Sequence, residues 1–266
     1  MFKGKVVAIT GAGSGIGRAL ALELAPLGAR LALSDCNAAG LDETLQLLPA
    51  GTEAKAYTLD VSSREAVFQH AADVQRDFGT AHMIINNAGT GIFASVENVQ
   101  VEEIDKVLKV NLYGTIYGVK AFLPIFLAQK EGYVVNISSG FGFVAAPCQA
   151  AYCMSKFAVR ALSETLWHEL ENTGVTSVVV HPGGVATNIE KNSLRAKNLG
   201  PLEKKLMSNF KGKLGTTPQD MARAIVRGLQ SGKKRIFYGS GSTITMNLAR
   251  LLPNSYGIVL RRLLGF

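Results

Sequence analysis

Tyr152 and Lys156 stand four residues apart in the stretch AYCMSKFA, residues 151–158. On a helix this spacing places the phenol and the ammonium on one face, about one turn apart. A phenol with its ordinary pKa near ~10 is a poor base at neutral pH. A nearby ammonium favours the phenolate and so suits the pair to proton transfer. The same spacing also occurs between ordinary neighbours on a helix surface, so its meaning depends on the elements around it.

The N-terminal segment predicts a nucleotide-binding turn. KVVAIT (5–10) has the pattern of a buried parallel strand, and GAGSGIGRALALELAPLGA (11–29) follows it as a glycine turn that opens an amphipathic helix. Glycines at 11, 13, 15 and 17 let the backbone approach a pyrophosphate, and the helix offers N–H groups and its positive dipole end to that anion. A glycine-rich loop between a strand and a helix indicates a dinucleotide site.

The second strand, ARLALSD, ends at Asp35, about twenty residues beyond the glycine turn. A carboxylate there can accept hydrogen bonds from both hydroxyls of an adenosine ribose, and it would repel the 2′-phosphate of NADP. We therefore predict NAD as the cofactor, with NADP as the less favoured alternative, because Arg18 on the helix could reach a phosphate. Asp35 also has the alternative role of a strand-end turn residue or helix cap.

Strands and helices continue to alternate along the chain. Further strands are predicted at 53–61, 82–89, 132–139 and 176–184, with helices at 64–79, about 101–128 and about 150–173. This order predicts an α/β fold with a doubly wound, Rossmann-like parallel sheet, in a single domain over residues 1–266 with a C-terminal helical extension. Ligands of such folds bind beyond the C-terminal ends of the strands, where the polar and glycine-rich motifs cluster.

A set of motifs follows one another along this framework. In chain order they are TGAGSGIG (10–17), Asp60, NNAG (86–89), Asn111, Ser139, YCMSK (152–156) and PGGVAT (182–187). In order and spacing the set resembles the short-chain dehydrogenase/reductase family, in its compact single-domain branch. The resemblance covers residues 4 to about 190 and fades beyond them. It implies an NAD(P)-dependent oxidoreductase that interconverts a hydroxyl and a carbonyl by hydride transfer.

The resemblance implies four catalytic residues. Tyr152 would be the general acid/base, and Lys156 would lower its pKa and hold the nicotinamide ribose. Ser139 would steady the substrate oxygen, and Asn111 would seat a proton relay. The implied cofactor-binding set, with Asp35 included, is Gly11, Ser14, Gly15, Ile16, Gly17, Asp60, Val61, Asn87, Ala88, Gly89, Tyr152, Lys156, Pro182, Gly183 and Thr187.

Some of these residues have alternative interpretations. Ser138 is the alternative to Ser139, because neighbouring residues of a strand face opposite sides and only one can reach the substrate. Asn111 has the alternative role of capping a bend in its helix. Cys153 is interpreted as a buried structural thiol, and His181, just before the PGG turn, as a packing residue.

The substrate pocket is expected along residues 89–96, 138–149 and 183–187, which carry no charged side chain. The residues expected to line it are Phe93, Ser139, Phe141, Phe143 and Val144, with Ile92 and Pro147 nearby. We therefore predict a fairly apolar alcohol or ketone, such as a medium- or long-chain, alicyclic or steroid-like one. Residues about 188–215 are expected to form a lid, whose lysines leave open an anionic, acyl-CoA-like substrate.

The net charge of +8 is unevenly distributed, since residues 191–266 hold 15 of the 28 Lys and Arg but only two acidic residues. A basic end favours an anionic partner or a solvated basic surface. The extension at about 241–266 mixes leucines with arginines, which is typical of peripheral contact with an acidic membrane, of oligomer packing or of a cap over the substrate opening. No nucleic acid is expected, because no binding motif or interleaved aromatics accompany the charges.

Other functional classes are weakly indicated. No signal-peptide pattern and no uninterrupted apolar run of membrane-spanning length occur, so we expect a cytoplasmic protein. The three cysteines lack metal-ligand spacing and the four histidines form no cluster, so no metal is expected. The resemblance implies a homodimer or homotetramer through the two long central helices. A non-catalytic dinucleotide sensor is the alternative function, although it would have little need of the four catalytic residues together.

Overall fold

The computed structural model describes residues 1–186, 194–195, 199–210, 215–239 and 241–264 of the 266-residue chain. The predicted cofactor residue Thr187 and part of the expected lid, including Lys191 and Lys197, lie outside the described residues.

Parallel strands form the centre of the molecule. The described strands are β1 (Val6–Thr10), β2 (Arg30–Asp35), β3 (Ala54–Thr58), β4 (Met83–Asn86), β5 (Ile92–Phe93), β6 (Gly132–Ile137), β7 (Val175–Pro182), β8 (Leu194–Arg195) and β9 (Arg235–Tyr238). Seven of them pair in parallel in the order β3-β2-β1-β4-β6-β7-β9, and β5 pairs with β8 apart from this sheet. The chain therefore starts near the centre of the sheet at β1 and adds β2 and β3 toward one edge. It then returns to the centre with β4 and adds β6, β7 and β9 toward the other edge.

Helices connect these strands across both faces of the sheet. The described helices are α1 (Gly15–Leu24), α2 (Ala38–Gln46), α3 (Arg64–Phe78), α4 (Val101–Leu108), α5 (Gly114–Gln129), α6 (Ala150–Glu169), α7 (Pro201–Phe210), α8 (Pro218–Gln230), α9 (Ser242–Leu251) and α10 (Tyr256–Leu264). A π-helical turn, Lys109–Tyr113, joins α4 to α5.

The core has two halves, one on each side of the sheet. Successive residues of a strand point to opposite faces, so Val7 and Ile9 pack with the apolar sides of α1 and α8. Val6 and Ala8 pack on the other face with α3, α5 and α6. Strands covered on both faces are nearly continuous apolar runs, and β1 is buried at all five positions.

The predicted fold class, a doubly wound Rossmann-like parallel sheet, is confirmed, and the six predicted strands all form. The seventh strand, β9, was not predicted, because its four residues follow a basic turn and carry too little apolar pattern to stand out. The helix predicted to reach residue 173 ends at Glu169. Asn172 and Gly174 have positive φ there and turn the chain into β7.

One helical stretch has the length and apolar composition of a membrane span, although Lys120 interrupts it. The stretch is Val101–Gln129, and Lys120 is the single charge in its residues 112–129. Its inner side is part of the core, where Phe122 and Phe126 are fully buried against the sheet. This packing is that of a core helix in a globular fold.

Candidate active site

The proposed catalytic pair lies on α6, next to the end of β6. The Ser139 side chain, two residues past β6, approaches the Tyr152 hydroxyl and lowers the pKa of Tyr152. The Lys156 Nζ lies 5.6 Å from the centre of the Tyr152 ring and donates a 2.8 Å hydrogen bond to the carbonyl oxygen of Ile137. Because α6 begins at Ala150, Tyr152 and Lys156 both lie in its first two turns, next to the C-terminal end of β6.

The two adjacent serines face opposite sides, as expected for an extended backbone. Ser138 Oγ donates to the Lys156 carbonyl oxygen at 2.8 Å and is buried. Ser139 Oγ instead accepts from the Phe141 N–H at 3.1 Å and meets Tyr152. The structure therefore brings Ser139, and not Ser138, to the tyrosine, while Ser138 fastens β6 to α6.

Burial dominates the electrostatics of the pair. It lowers the pKa of the Lys156 ammonium to about 8, and it raises the pKa of the Tyr152 phenol above its ordinary value. The hydrogen bond with Ser139 lowers the pKa of Tyr152 and so opposes the effect of burial. The expected lowering by Lys156 is not seen, because the ammonium lies beside the ring and is directed at the Ile137 carbonyl rather than at the phenol oxygen.

Asn111 occupies the π-helical turn and is fully buried. Its Oδ1 accepts from the Thr90 N–H at 2.8 Å, and its Nδ2 donates to the Thr90 carbonyl at 2.9 Å and to Ser155 Oγ at 3.1 Å. The amide thus ties the loop after β4 to the catalytic helix α6. Thr90 and Ser155, which the sequence analysis did not single out, complete this connection.

The glycine turn has the close packing that its sequence predicts. Gly11 has φ of +69°, a left-handed conformation that favours glycine. A Cβ at Gly17 would overlap the carbonyl oxygen of Gly11. The Asn87 amide donates to the carbonyl oxygens of Thr10 and Gly11 at 2.9 and 3.2 Å, so its side chain supports the turn from β4.

The N-terminus of α1 opens beyond this turn. Ser14 occupies the N-cap position but makes no side-chain capping hydrogen bond. The first N–H groups of a helix have no partner within the helix and favour an anion. An uncapped helix start behind a glycine turn fits the pyrophosphate of a dinucleotide.

Asp35 ends β2 directly beside this turn. Its carboxylate accepts from the Gly13 N–H and the Asn37 N–H, both at 2.9 Å. The Arg18 side chain is bound within the protein. It forms an ion pair with Glu43 at 2.7 Å, and it donates hydrogen bonds to Thr44 Oγ1 at 3.0 Å and to the Gly13 carbonyl. The arginine considered as a phosphate ligand is therefore occupied within the protein.

The remaining predicted cofactor residues lie at the C-terminal ends of the strands. Asp60 is exposed past β3 and accepts from the Ser62 N–H at 2.9 Å, and Val61 beside it packs on Gly114. Ala88 donates its N–H to Thr10 Oγ1, and Gly89 lies close to Asn111 and Lys156. Pro182 ends β7, and Gly183 donates its N–H to the Tyr238 carbonyl.

The predicted pocket residues differ in their surroundings. The Phe141 ring stands edge-on to Tyr152 with 6.4 Å between ring centres. Phe93 lies half-buried in β5. Phe143 and Val144 are buried, and the Phe143 ring packs on His181 at 4.6 Å. Phe141 is thus the aromatic residue beside the phenol, whereas Phe143 belongs to a cluster behind it.

The C-terminal helices approach the same strand end. Thr245 Oγ1 on α9 lies against Gly140, and the Tyr256 hydroxyl accepts from the Ala145 N–H at 3.3 Å. On α7, the buried Glu203 accepts from the Ser95 N–H at 2.9 Å and from Asn98 Nδ2 at 2.8 Å. Segments that the sequence analysis treated as a lid and an extension therefore pack around the loops next to Tyr152.

Nothing in the described part of the chain resembles a metal centre, since no three His, Cys, Asp or Glu side chains there could hold one ion. Cys36, Cys148 and Cys153 are free thiols. Cys153 is buried, with its Sγ directed at the Val144 carbonyl at 3.9 Å.

Comparison with known proteins agrees with this geometry. Residues 5–198 match the family model described as short chain dehydrogenase, and the chain belongs to that family. It is 41% identical over 259 residues to the putative oxidoreductase SadH of Mycobacterium tuberculosis, covering 96% of this chain and 93% of the relative. It is 33% identical over 263 residues to human estradiol 17-beta-dehydrogenase 11, covering 97% and 83%.

Among solved structures, the chain is similar to a short-chain dehydrogenase/reductase from Burkholderia phymatum in complex with NAD. The TM-score is 0.83 and the identity is 32%, over 97% of this chain and 96% of the other. Oxidoreductase chemistry with a nicotinamide dinucleotide is thus the activity of the family to which this chain belongs.

Proposed function

We propose that the protein is an NAD-preferring oxidoreductase that interconverts a hydroxyl and a carbonyl on a fairly apolar substrate, with Tyr152 as general acid/base. The observation that carries this proposal is the joint placement of Tyr152, Ser139 and Lys156: a buried phenol with a serine hydroxyl near it and an ammonium 5.6 Å from the centre of its ring. A buried structural tyrosine also needs a polar partner for its hydroxyl, but it would not need a buried ammonium beside its ring.

The nicotinamide cofactor supplies the hydride acceptor or donor when it is bound. The glycine turn and the uncapped start of α1 would hold its pyrophosphate through Gly11, Ser14, Gly15, Ile16 and Gly17. Asp35 would accept from the adenosine ribose, with Asp60 and Val61 near the adenine. Asn87, Ala88, Gly89, Pro182, Gly183 and Thr187 would line the remaining length of the cofactor, and Lys156 would hold the nicotinamide ribose.

In the alcohol-oxidising direction, Tyr152 takes the hydroxyl proton of the substrate. Ser139 donates a hydrogen bond to the same substrate oxygen and so stabilises the negative charge that develops on it. A Lys156 ammonium turned from the Ile137 carbonyl toward the phenol oxygen would favour the phenolate that accepts this proton. In the reducing direction Tyr152 returns the proton to the oxygen. Catalysis thus rests on positioning and proton transfer by residues of α6 and the end of β6.

Asn111 is proposed to support the proton relay from Tyr152 toward solvent. Both hydrogens of its amide are used by Thr90 and Ser155. Its contribution is therefore to hold the π-helical turn and α6 in register, at the place where the water of the proton relay would be seated.

The preference for NAD rests on charge. Asp35 has its carboxylate at the position where a 2′-phosphate would come, and like charges in close contact are unfavourable. The nearby Arg18 is neutralised by Glu43. The solved relative from Burkholderia phymatum holds NAD, which agrees with this assignment.

An apolar substrate is supported by the residues around the phenol. The ring of Phe141 stands beside Tyr152, and the neighbouring loops carry no charged side chain. Phe93, Phe143 and Val144 remain proposed pocket residues. Phe143 and Val144 are buried, so they would act by holding the shape of the loop that lines the pocket. One relative is an estradiol dehydrogenase by name, which favours an alicyclic, steroid-like secondary alcohol within the predicted class.

Self-association is proposed through the two long central helices. The outer surface of α6 exposes Met154 and Phe157, and Tyr113, in the turn before α5, and Leu127, near the end of α5, are exposed as well. Apolar side chains of this size are enriched where helices meet a second subunit. A homodimer or homotetramer would cover them.

Peripheral contact with an acidic membrane is proposed for the C-terminal helices. Leu251 is 75% exposed and Ile258 52%, and Arg250, Arg261 and Arg262 are exposed beside them. Apolar and cationic side chains on one surface suit an anionic bilayer. A cytoplasmic location with such peripheral contact agrees with the three free thiols.

The membrane proposal is tested by co-sedimentation with vesicles that contain phosphatidylserine. Point substitutions are preferable to truncation, because Tyr256 contacts the loop next to the site. Leu251→Asp combined with Arg261→Glu should abolish binding, whereas Arg76→Glu on α3 should retain most of it. Equal binding by both variants would contradict the proposal.

The central function is tested by following reduced nicotinamide with NAD or NADP across secondary alcohols of increasing size, from short-chain through alicyclic to steroidal. Turnover that improves with apolar size, and is faster with NAD, is the expected result. Tight NAD binding without turnover on any alcohol or ketone would favour the sensor, and turnover confined to acyl-CoA-like substrates would favour the anionic alternative.

A further inference from the structure

His181 is a buried histidine directly behind the proposed active site. It lies in β7, next to Pro182, and its side chain is fully buried. Its Nδ1 lies 3.1 Å from the carbonyl oxygen of Ser139. Because a carbonyl oxygen only accepts, Nδ1 carries the hydrogen and donates it to Ser139.

This hydrogen bond extends the sheet where its backbone ladder stops. β6 and β7 pair as far as Ile137 with Val180, and the Ser138 N–H donates to the Val180 carbonyl at 2.8 Å. Beyond this point, the imidazole of His181 provides the cross-strand hydrogen bond that holds the Ser139 carbonyl. The Ser139 carbonyl therefore accepts from two donors, the Gly142 N–H at 3.0 Å within its own loop and the His181 side chain, which is the one that ties it to the next strand.

The imidazole itself is held on both sides. Phe237, its cross-strand partner on β9, stacks on it with ring centres 5.0 Å apart and an angle of 21° between the ring planes. Phe143 packs at 4.6 Å, and the Arg160 guanidinium covers the Phe143 ring at 4.0 Å. The ring therefore has little freedom to turn away from Ser139.

The charge state of His181 agrees with a donor role for one nitrogen. The pKa of His181 is lowered to about 4, chiefly by burial and also by Arg235 and Arg160, against the raising effects of the hydrogen bond with Ser139 and of the nearby Glu164. The imidazole is thus neutral near pH 7, with its hydrogen on Nδ1. Its Nε2 is buried and has no hydrogen-bond partner among the described residues.

A buried nitrogen without a partner costs stability, so packing alone would be served better by phenylalanine. We propose that His181 is a positioning residue for Ser139: its Nδ1–H fixes the Ser139 backbone, and thereby the hydroxyl that Ser139 presents to Tyr152. This inference rests on the proposed function of Ser139 and Tyr152, and it adds a residue that the sequence analysis treated as packing.

The test compares three variants. His181→Phe retains the aromatic stack and removes the donor, whereas His181→Asn retains an N–H donor close to the Nδ1 position. His70→Phe is the matched control, because His70 is also buried among aromatic rings, has both nitrogens without partners among the described residues, and lies between α3 and α5 away from Ser139.

We expect His181→Phe to lower kcat about ten- to a hundredfold, the size expected for misplacing a catalytic group, with the KM for NAD and the melting temperature nearly unchanged. His181→Asn should recover most of kcat, and His70→Phe should match the wild type. The pH profile of kcat/KM should move to higher pH in His181→Phe alone, since a displaced Ser139 stabilises the phenolate less.

A second readout does not depend on turnover. The ultraviolet titration of Tyr152, obtained by subtracting the Tyr152→Phe spectrum in each background, should move to higher pH in His181→Phe. Absence of turnover in the wild type, with this titration still shifted, would remove the proposed function and retain the positioning role. Unchanged titration and kinetics in His181→Phe, or equal losses in His70→Phe, would overturn the inference.

Discussion

The Lys156 ammonium donates a 2.8 Å hydrogen bond to the Ile137 carbonyl oxygen, at the last residue of β6. The Lys156 carbonyl in turn accepts from Ser138 Oγ at 2.8 Å. The two hydrogen bonds, one through the side chain and one through the carbonyl of Lys156, join α6 to the end of β6. They fix the distance between the two elements, and this brings Tyr152 on α6 close to Ser139 after β6.

We predict that substitutions of the two serines differ in their effect on kcat. Ser139→Ala removes a donor to the developing oxyanion, and kcat should fall about a hundredfold; loss of the hydrogen bond from the Phe141 N–H should lower the free energy of unfolding by about 1 kcal/mol. Ser138→Ala removes a buried hydrogen bond, which should lower the free energy of unfolding by about 1 kcal/mol and leave kcat within a few-fold. Steady-state kinetics and urea unfolding of the two variants check this, and the reverse pattern would assign the catalytic role to Ser138.

Gly17→Ala is predicted to weaken cofactor binding. The new Cβ would overlap the Gly11 carbonyl oxygen, so the glycine turn must move away from α1. This movement would displace the proposed pyrophosphate site. Titration calorimetry should give at least a tenfold higher Kd for NAD, or about 1.4 kcal/mol. Gly215→Ala, whose Cβ enters open space, is the control and should bind NAD like the wild type.

Asp35→Asn should change the cofactor preference. The amide retains an oxygen that can accept from the Gly13 N–H, and it removes the charge that would repel a 2′-phosphate. The ratio of kcat/KM for NADP to that for NAD should rise about tenfold or more, a change of about 1.4 kcal/mol. Asp42→Asn, on the exposed side of α2, removes the same charge and should leave the ratio unchanged. A ratio that stays constant in Asp35→Asn would contradict the proposed ribose contact.

Acid should destabilise the fold through two buried histidines. Burial lowers the pKa of both His70 and His181 to about 4 from the ordinary 6.5. The unfolded chain therefore binds more protons below pH 6.5, so stability present above that pH is lost as the pH falls toward 4, by up to about 3 kcal/mol per histidine. Urea unfolding from pH 7 to 4.5 should show a shallower decline in His70→Phe than in the wild type.

Much of the fold could be predicted because its signals are local. The apolar strands, the glycine turn and the four-residue spacing of Tyr152 and Lys156 each stand in one short stretch of sequence. Strand alternation predicted that only one of Ser138 and Ser139 could reach the substrate, and the spacing of thirteen residues to Tyr152 selected Ser139; the approach of Ser139 to Tyr152 agrees with that choice.

The parts that were missed depend on distant residues. The π-helical turn at Asn111 forms where its amide meets Thr90, 21 residues away. His181 binds the Ser139 carbonyl across 42 residues, so nothing in its own neighbourhood distinguishes it from a packing residue. The pKa of Tyr152 was expected to fall, yet its direction depends on burial and on where Lys156 points, and both are tertiary properties.

The most direct test of the account compares wild type and Tyr152→Phe in the reduction of NAD by an apolar secondary alcohol, with NAD binding measured on both. Tyr133→Phe, at the opposite end of β6, is the control. We expect Tyr152→Phe to bind NAD normally and to lose turnover by at least about a hundredfold, while Tyr133→Phe retains it. Turnover that survives in Tyr152→Phe would contradict the assignment of Tyr152 as general acid/base.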